Sequence, residues 1–224
     1  MQLDDSSNRT AVNRSNLSFI MEDTELECLS DTKDLGVTFN SKLSFDTHID
    51  NIIAKAKQRL YLLRKSFVSC DCRALILAFK TYILPLLEYC SPVWSPCLIT
   101  DILRIEAVQR KFTKSLIICD DNVSYKERLE TCELKSLEYR RLLADLYLFY
   151  KIINYLITID LGDSLLPFPA NSVTRGHSRR FKIPPARLNS RLHFFTHRTI
   201  RVWNCLTEPT VSAVSLNEFK SYWA

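Results

Sequence analysis

Glycine is scarce in this chain, with three residues in 224. So few glycines cannot supply the loops whose backbone amides cradle a phosphate, which excludes a Walker or dinucleotide-binding motif. No serine elbow and no kinase loop is present either. No stretch approaches the roughly 20 uninterrupted apolar residues that a membrane span needs. The longest apolar run is interrupted by Lys80 and Glu88. The first residues, Met1 to Ser7, show no basic region followed by an apolar core, so no secretory signal is read and a non-secreted chain without membrane contact is expected.

Clustered carboxylates are also missing. Two-metal phosphoryl transfer needs several of them, commonly presented from neighbouring strands. Asp4-Asp5 lies in a Ser/Asn-rich stretch with no strand before it, and Asp120-Asp121 follows an apolar run that completes a helix, so both doublets are read as loops. His193 and His197 stand four apart on an expected helix, the spacing of a zinc protease pair, but Phe194 occupies the place of its catalytic Glu. Proteolysis is excluded on that ground. The eight cysteines read as reduced thiols, with a zinc site from Cys70, Cys72, Cys90 and Cys97 as the alternative.

What is present is apolar periodicity and unevenly spread charge. Apolar residues make up 46% of the chain, enough for a core at this length. A hairpin is expected between Asn16 and Leu29, turning at Glu22 to Glu25, followed by one short strand around Gly36. Residues 49 to 67 place Ile49, Ile52, Ile53, Ala56, Leu60, Leu63 and Phe67 on one arc, which predicts an amphipathic helix. Lys57 and Arg64 border that stripe on one side, Lys55 and Arg59 on the other. A second helix starts near Asp71 and kinks at Pro85, and Ser91 to Pro96 leaves little room for helix between its prolines. A third runs from about Asp101 to Ile118, and residues 124 to 157 give a short helix and then a long one. Short helices close the chain after a proline-rich linker at Leu165 to Pro169. The predicted class is mainly α, a helical bundle with a small N-terminal β-hairpin and a basic, partly irregular C-terminal extension.

The net charge of +5 hides four alternating blocks. Residues 1 to 50, 51 to 115, 116 to 170 and 171 to 224 carry −6, +7, −3 and +7. Two basic blocks suit a polyanion held at two places, and a solvated helix surface is the competing reading. The third helix segregates its charge most clearly: Arg104, Arg110, Lys111 and Lys114 lie opposite Ile105, Val108 and Phe112. Lys57, Arg64 and Lys65 on the first helix can extend that surface. In the last block Arg175, Arg179, Arg180 and Arg191, with Phe181 interleaved, form an arm able to hold single-stranded nucleic acid by charge and stacking.

Several strings, in order, resemble the carboxy-terminal part of non-LTR retrotransposon reverse transcriptases of the LINE, jockey-like group. Lys33-Asp34-Leu35-Gly36-Val37, Leu43-Ser44-Phe45 and His48-Ile49 are similar to the strand and thumb start that follow the palm. The stretch from Tyr82 to Pro96, with Pro85, Leu87-Glu88-Tyr89 and Val93-Trp94-Ser95-Pro96, resembles a thumb helix and its end, and Ile105 to Thr113 follows in place. Arg175 to Ser178, Asn189 to Phe195, Arg198, Val202 to Leu206 and Ser215 to Lys220 resemble the segment beyond the thumb.

The family's palm, with its aromatic-Ala-Asp-Asp metal motif, would lie upstream of Lys33 and is not found in this sequence, nor is the family's endonuclease or a terminal Cys/His knuckle. The resemblance therefore implies a palm edge at 1–45, a helical thumb at 46–118, a helical connection at 119–168 and a basic segment at 169–224. It implies a part of an RNA-directed DNA polymerase that is not an enzyme alone. Such a part has no cofactor of its own, Mg2+ belonging to the palm, and no small-molecule substrate. Its expected partners are RNA, an RNA/DNA hybrid and the palm domain, in the nucleus or cytoplasm. The alternative is a helical protein-interaction module, or a partly folded product with no nucleic-acid role.

Overall fold

The computed structural model describes residues 19–21, 24–26, 29–66, 71–116, 123–159, 161, 164–169 and 176–223. Asp4, Asp5, Phe67, Cys70, Asp120, Asp121 and Arg175 lie outside them. The fold is mainly helical with a small antiparallel hairpin at the N-terminal end, as the sequence predicts. That hairpin pairs β1 (Phe19–Met21) with β2 (Thr24–Leu26). Instead of a single strand around Gly36 there is a second hairpin, β3 (Asp31–Asp34) with β4 (Val37–Asn40). Leu35 and Gly36 both hold positive φ, 44° and 91°, and so make the two-residue turn whose twist matches paired strands. The Tyr89 hydroxyl donates to the Leu35 carbonyl at 3.0 Å and pins that turn to the helices.

Helix α1 (Asp46–Ser66) buries the predicted stripe, Ile49, Ile52, Ile53, Ala56, Leu60 and Leu63. Each such large apolar side chain contributes roughly 1.5–3 kcal/mol on burial. Helix α2 (Cys72–Tyr82) starts at an Asp71 cap, whose carboxylate accepts from the Arg73 amide at 3.0 Å. It gives way at Ile83 to α3 (Leu84–Glu88), with Pro85 in the first turn, where its missing amide hydrogen costs nothing.

The same reason corrects the reading of Ser91 to Pro96. A one-turn helix α4 (Ser91–Trp94) forms there because Pro92 sits in its first turn. Trp94 fills the core beneath, its indole donating to the Tyr89 carbonyl at 2.7 Å. Helices α5 (Ile99–Leu116) and α6 (Tyr125–Thr131) complete a first core, in which the Phe79 and Phe112 rings stack 4.0 Å apart.

Helix α7 (Leu137–Ile153) leaves this core at Leu137 and enters a second one with Leu143, Leu146, Phe149 and Ile152. The second core is closed by Phe181 of the short pair β5 (Leu166–Pro167) and β6 (Phe181–Lys182) and by α9 (Phe195–Trp203), α10 (Glu208–Val211) and α11 (Leu216–Ser221), with α8 (Asn189–Leu192) against α9. Residues 183–187 have no regular structure. His193 and His197 do not share a helix: His193 ends α8, and Phe194 breaks the chain in extended conformation before α9. The expected metalloprotease-like spacing therefore has no common helical face.

Two buried histidines couple the fold to pH. His48 Nδ1 accepts from the Thr38 amide at 3.4 Å, joining α1 to β4, while burial, with Lys55 and Lys33 nearby, pushes its pKa below the ordinary value. Burial does the same to His197, aided by Arg191 and Arg201. Both take up a proton less readily in the fold than once unfolded, so the unfolded chain binds more protons as pH falls through about 6.5. Stability is full above that pH and is lost below it. Thermal unfolding midpoints should drop between about pH 7.5 and pH 5, and a His48→Gln, His197→Gln variant should drop less. An equal drop in the variant would remove these histidines from the account.

Candidate nucleic-acid interface

Helices α1 and α5 pack side by side in the same direction, with Asp50 facing Arg104 near their starts and Lys57 sharing a cleft with Lys111 further along. Charge is sorted along this pair. Near the starts Asp46, Asp50 and Asp101 favour the positive helix ends. Arg104 is drawn into that acidic end, bonded to Asp50 and, at 2.9 Å, to Asp101. Near the other ends the sign reverses. Lys57, Tyr61, Arg64 and Lys65 of α1 and Lys111 of α5 line one cleft of about 420 Å3, floored by Leu60.

Among the described residues, Lys57, Arg64, Lys65 and Lys111 make no ion pair with a carboxylate. All four are exposed. Tyr61, 65% exposed, offers an aromatic face in the middle of the cluster. The helical repeat explains the gathering: positions 57, 61, 64 and 65 recur at three and four residues on the α1 face beside α5. On the opposite flank Arg59 donates to the Tyr82 carbonyl at 2.9 Å, so that side is tied to α2.

The other basic residues of α5 divide. Arg110 is exposed and lies over the Tyr125 ring at 4.7 Å, on the α6 side. Lys114 is exposed one turn beyond it and interacts elsewhere in the chain. Beneath Arg110 the Tyr125 hydroxyl donates at 2.5 Å to Glu106, whose carboxylate also accepts from the Leu137 amide at 3.0 Å and so caps α7. Burial and the Glu106 carboxylate push the Tyr125 phenol well above its ordinary range. These groups are a joint between α5, α6 and α7.

The basic C-terminal arm is built into the second core. Arg179 donates to Asn154 Oδ1 at 3.0 Å and to the Val211 carbonyl, while its own carbonyl accepts from the Trp203 indole at 2.8 Å. Arg180 donates to the His177 carbonyl and lies over Phe168 at 5.1 Å. Arg191 donates to Ser164 Oγ at 2.7 Å and lies over Phe194. Phe181, expected to interleave with the arm as a stacking platform, packs edge-on against Phe149 at 5.4 Å as part of that core. Arg175 lies outside the described residues.

Sequence periodicity thus brings Lys57, Arg64, Lys65 and Lys111 together, and it misses Tyr61, whose signal was its place on the basic flank rather than the apolar stripe. Cys72, Cys90, Cys97, Cys132 and Cys205 are free thiols, which agrees with the reduced reading of those five. Among the described residues no group of three His, Cys, Asp or Glu is placed to hold a metal ion, and no helix is long and apolar enough to cross a membrane. Comparisons with protein-family models, with curated proteins and with solved structures find no match to this chain.

Proposed function

We propose that this chain is the thumb and following segment of a non-LTR retrotransposon reverse transcriptase, and that it grips template and primer by their phosphates without itself carrying the chemistry. The observation that carries the reading is the cluster around Tyr61, at the far end of α1 and α5, of four cations that have no carboxylate partner among the described residues. Lysine and arginine aimed at backbone phosphates hold a duplex independently of its sequence, which is what a polymerase thumb requires. The ordered strings from Lys33 to Lys220 support the family reading, in which magnesium chemistry belongs to the palm.

The test is binding of the purified chain to a labelled RNA/DNA hybrid across a salt series, with single-stranded RNA alongside. Tight binding whose logarithm falls with the logarithm of salt at a slope of about −3 to −4 is expected from four phosphate contacts. Absence of binding at low salt would remove the grip.

A second reading, a protein-interaction module, is favoured by one observation. An apolar groove of about 470 Å3 runs between the two cores, and Leu43, Val93, Ile159 and Phe194 on its wall are exposed. Apolar surface of this kind marks contact sites. A chain that binds the hybrid poorly but associates with a palm fragment, and loses that association on Val93→Asp, would favour this reading over the first.

A further inference from the structure

A second cleft, of about 480 Å3, opens on the face formed by α3, α4, α7 and α11, and shares no residue with the one on α1 and α5. Its charge is lopsided. Lys135, Arg140 and Lys220 line it against one carboxylate, Glu88, and that carboxylate is held bidentate by Arg140, one arm at 2.8 Å. The two lysines are left without an acidic partner among the described residues. Lys220 rests its ammonium over the Tyr147 ring at 5.5 Å, and Lys135 donates to the Trp223 carbonyl and keeps further protons to give.

Polar groups in the cleft also have unused bonding capacity. Ser91 lines it, is 1% exposed, and its hydroxyl has no hydrogen-bond partner among the described residues. The Trp223 indole N–H likewise has no partner among the described residues. A buried polar group without a partner costs about 1–3 kcal/mol. Two such groups stand beside two ammoniums that have no acidic partner among the described residues, and an acceptor that enters the cleft would meet all four. Tyr147 and Trp223 flank the same space with aromatic surface, suited to a flat ring.

We infer that this cleft binds a phosphate monoester carried on a planar ring, the chemistry of a nucleotide, with Lys135, Lys220 and Ser91 on the phosphate and Tyr147 and Trp223 beside the base. Lysine, as a mobile point charge, suits a phosphate. The source is a free nucleotide or the phosphorylated end of a strand. The site does not depend on the α1 and α5 grip.

Trp223 reports on it, since Trp94 and Trp203 are fully buried and Trp223 is not. The full chain is titrated with adenosine 5′-monophosphate, adenosine, inorganic phosphate, and a short oligonucleotide with and without a 5′-phosphate, read by tryptophan emission and by calorimetry. The monophosphate is expected to quench emission and to bind at least about tenfold tighter than adenosine or phosphate. Lys220→Ala and Ser91→Ala should each weaken it by about tenfold or more, while alanine at Lys57, Arg64, Lys65 and Lys111 leaves it unchanged. If the phosphorylated oligonucleotide competes better than the monophosphate, the site takes a strand end; if only the monophosphate binds, it takes a free nucleotide. No response to either up to about 10 mM, or a response untouched by Lys220→Ala, overturns the assignment.

Discussion

Alanine at Lys57, Arg64, Lys65 and Lys111 together is expected to weaken binding of an RNA/DNA hybrid by roughly a hundred- to a thousandfold near 0.1 M salt. Each lost phosphate contact removes about 0.7–0.9 from the salt slope, so the slope should flatten by about 3 units or more. Folding should be little affected, because all four side chains are exposed and make no ion pair among the described residues. Arg104→Ala should cost much less affinity, since its guanidinium is already held by Asp50 and Asp101. Alanine at Arg110, Lys111 and Lys114 should fall between, as only Lys111 lines the cleft. Equal losses from Arg104 and from the cleft residues would mean that net charge rather than this cluster drives binding.

The second large effect is on stability. Arg198 of α9 donates twice to Asp145 of α7, at 2.7 and 3.0 Å, and once to the Pro92 carbonyl of α4 at 2.6 Å. It therefore ties α4, which caps the first core, to the two helices of the second. Asp145 is buried, and desolvation pushes its carboxyl upward while Arg198 pulls it back. Arg198→Ala removes that carboxylate's hydrogen-bonded partner, leaving it only the charge of Arg141, and should cost about 3 kcal/mol. For a chain of this size that lowers the unfolding midpoint by on the order of 10 °C. Without Arg198 the carboxyl rises further, so it protonates within the fold at a higher pH and the loss should shrink as pH falls. Replacing both partners, Arg198→Met with Asp145→Leu, should recover most of the loss. A loss below about 1 kcal/mol in Arg198→Ala would show the pair to be solvated rather than structural.

Local chemistry made much of this fold legible. The α1 stripe follows from residues three and four apart, and the two flanks expected of it, Lys57 with Arg64 and Arg59 opposite, separate as expected, one toward α5 and the other toward α2. The kink expected at Pro85 appears as the break between α2 and α3 at Ile83, with Pro85 in the first turn of the second helix.

Illegible were features fixed by distant partners. Leu35 tolerates positive φ in a turn that Tyr89, 54 residues away, holds by its carbonyl. Arg104 reads as a phosphate contact on its own helix, and only the packing of α1 on α5 brings Asp50 against it. The C-terminal arginines read as a free arm because their acceptors are uncharged, two backbone carbonyls and the side chains of Asn154 and Ser164, which no charge pattern announces. The same blindness hid the buried polar residues of α5, Glu106 and Gln109, whose partners Tyr125, Leu137 and Lys135 lie on or beside other helices.

The most direct test of the phosphate grip is contact itself. A photoreactive phenylalanine in place of Tyr61, in the middle of the cluster, is compared with one in place of Tyr155, which is exposed beyond the end of α7 and outside the cleft. On irradiation with a labelled RNA/DNA hybrid, the group at 61 should crosslink and lose the crosslink as salt rises, while the group at 155 stays silent. Crosslinking from 155 alone, or equally from both, would contradict a grip at the far end of α1 and α5.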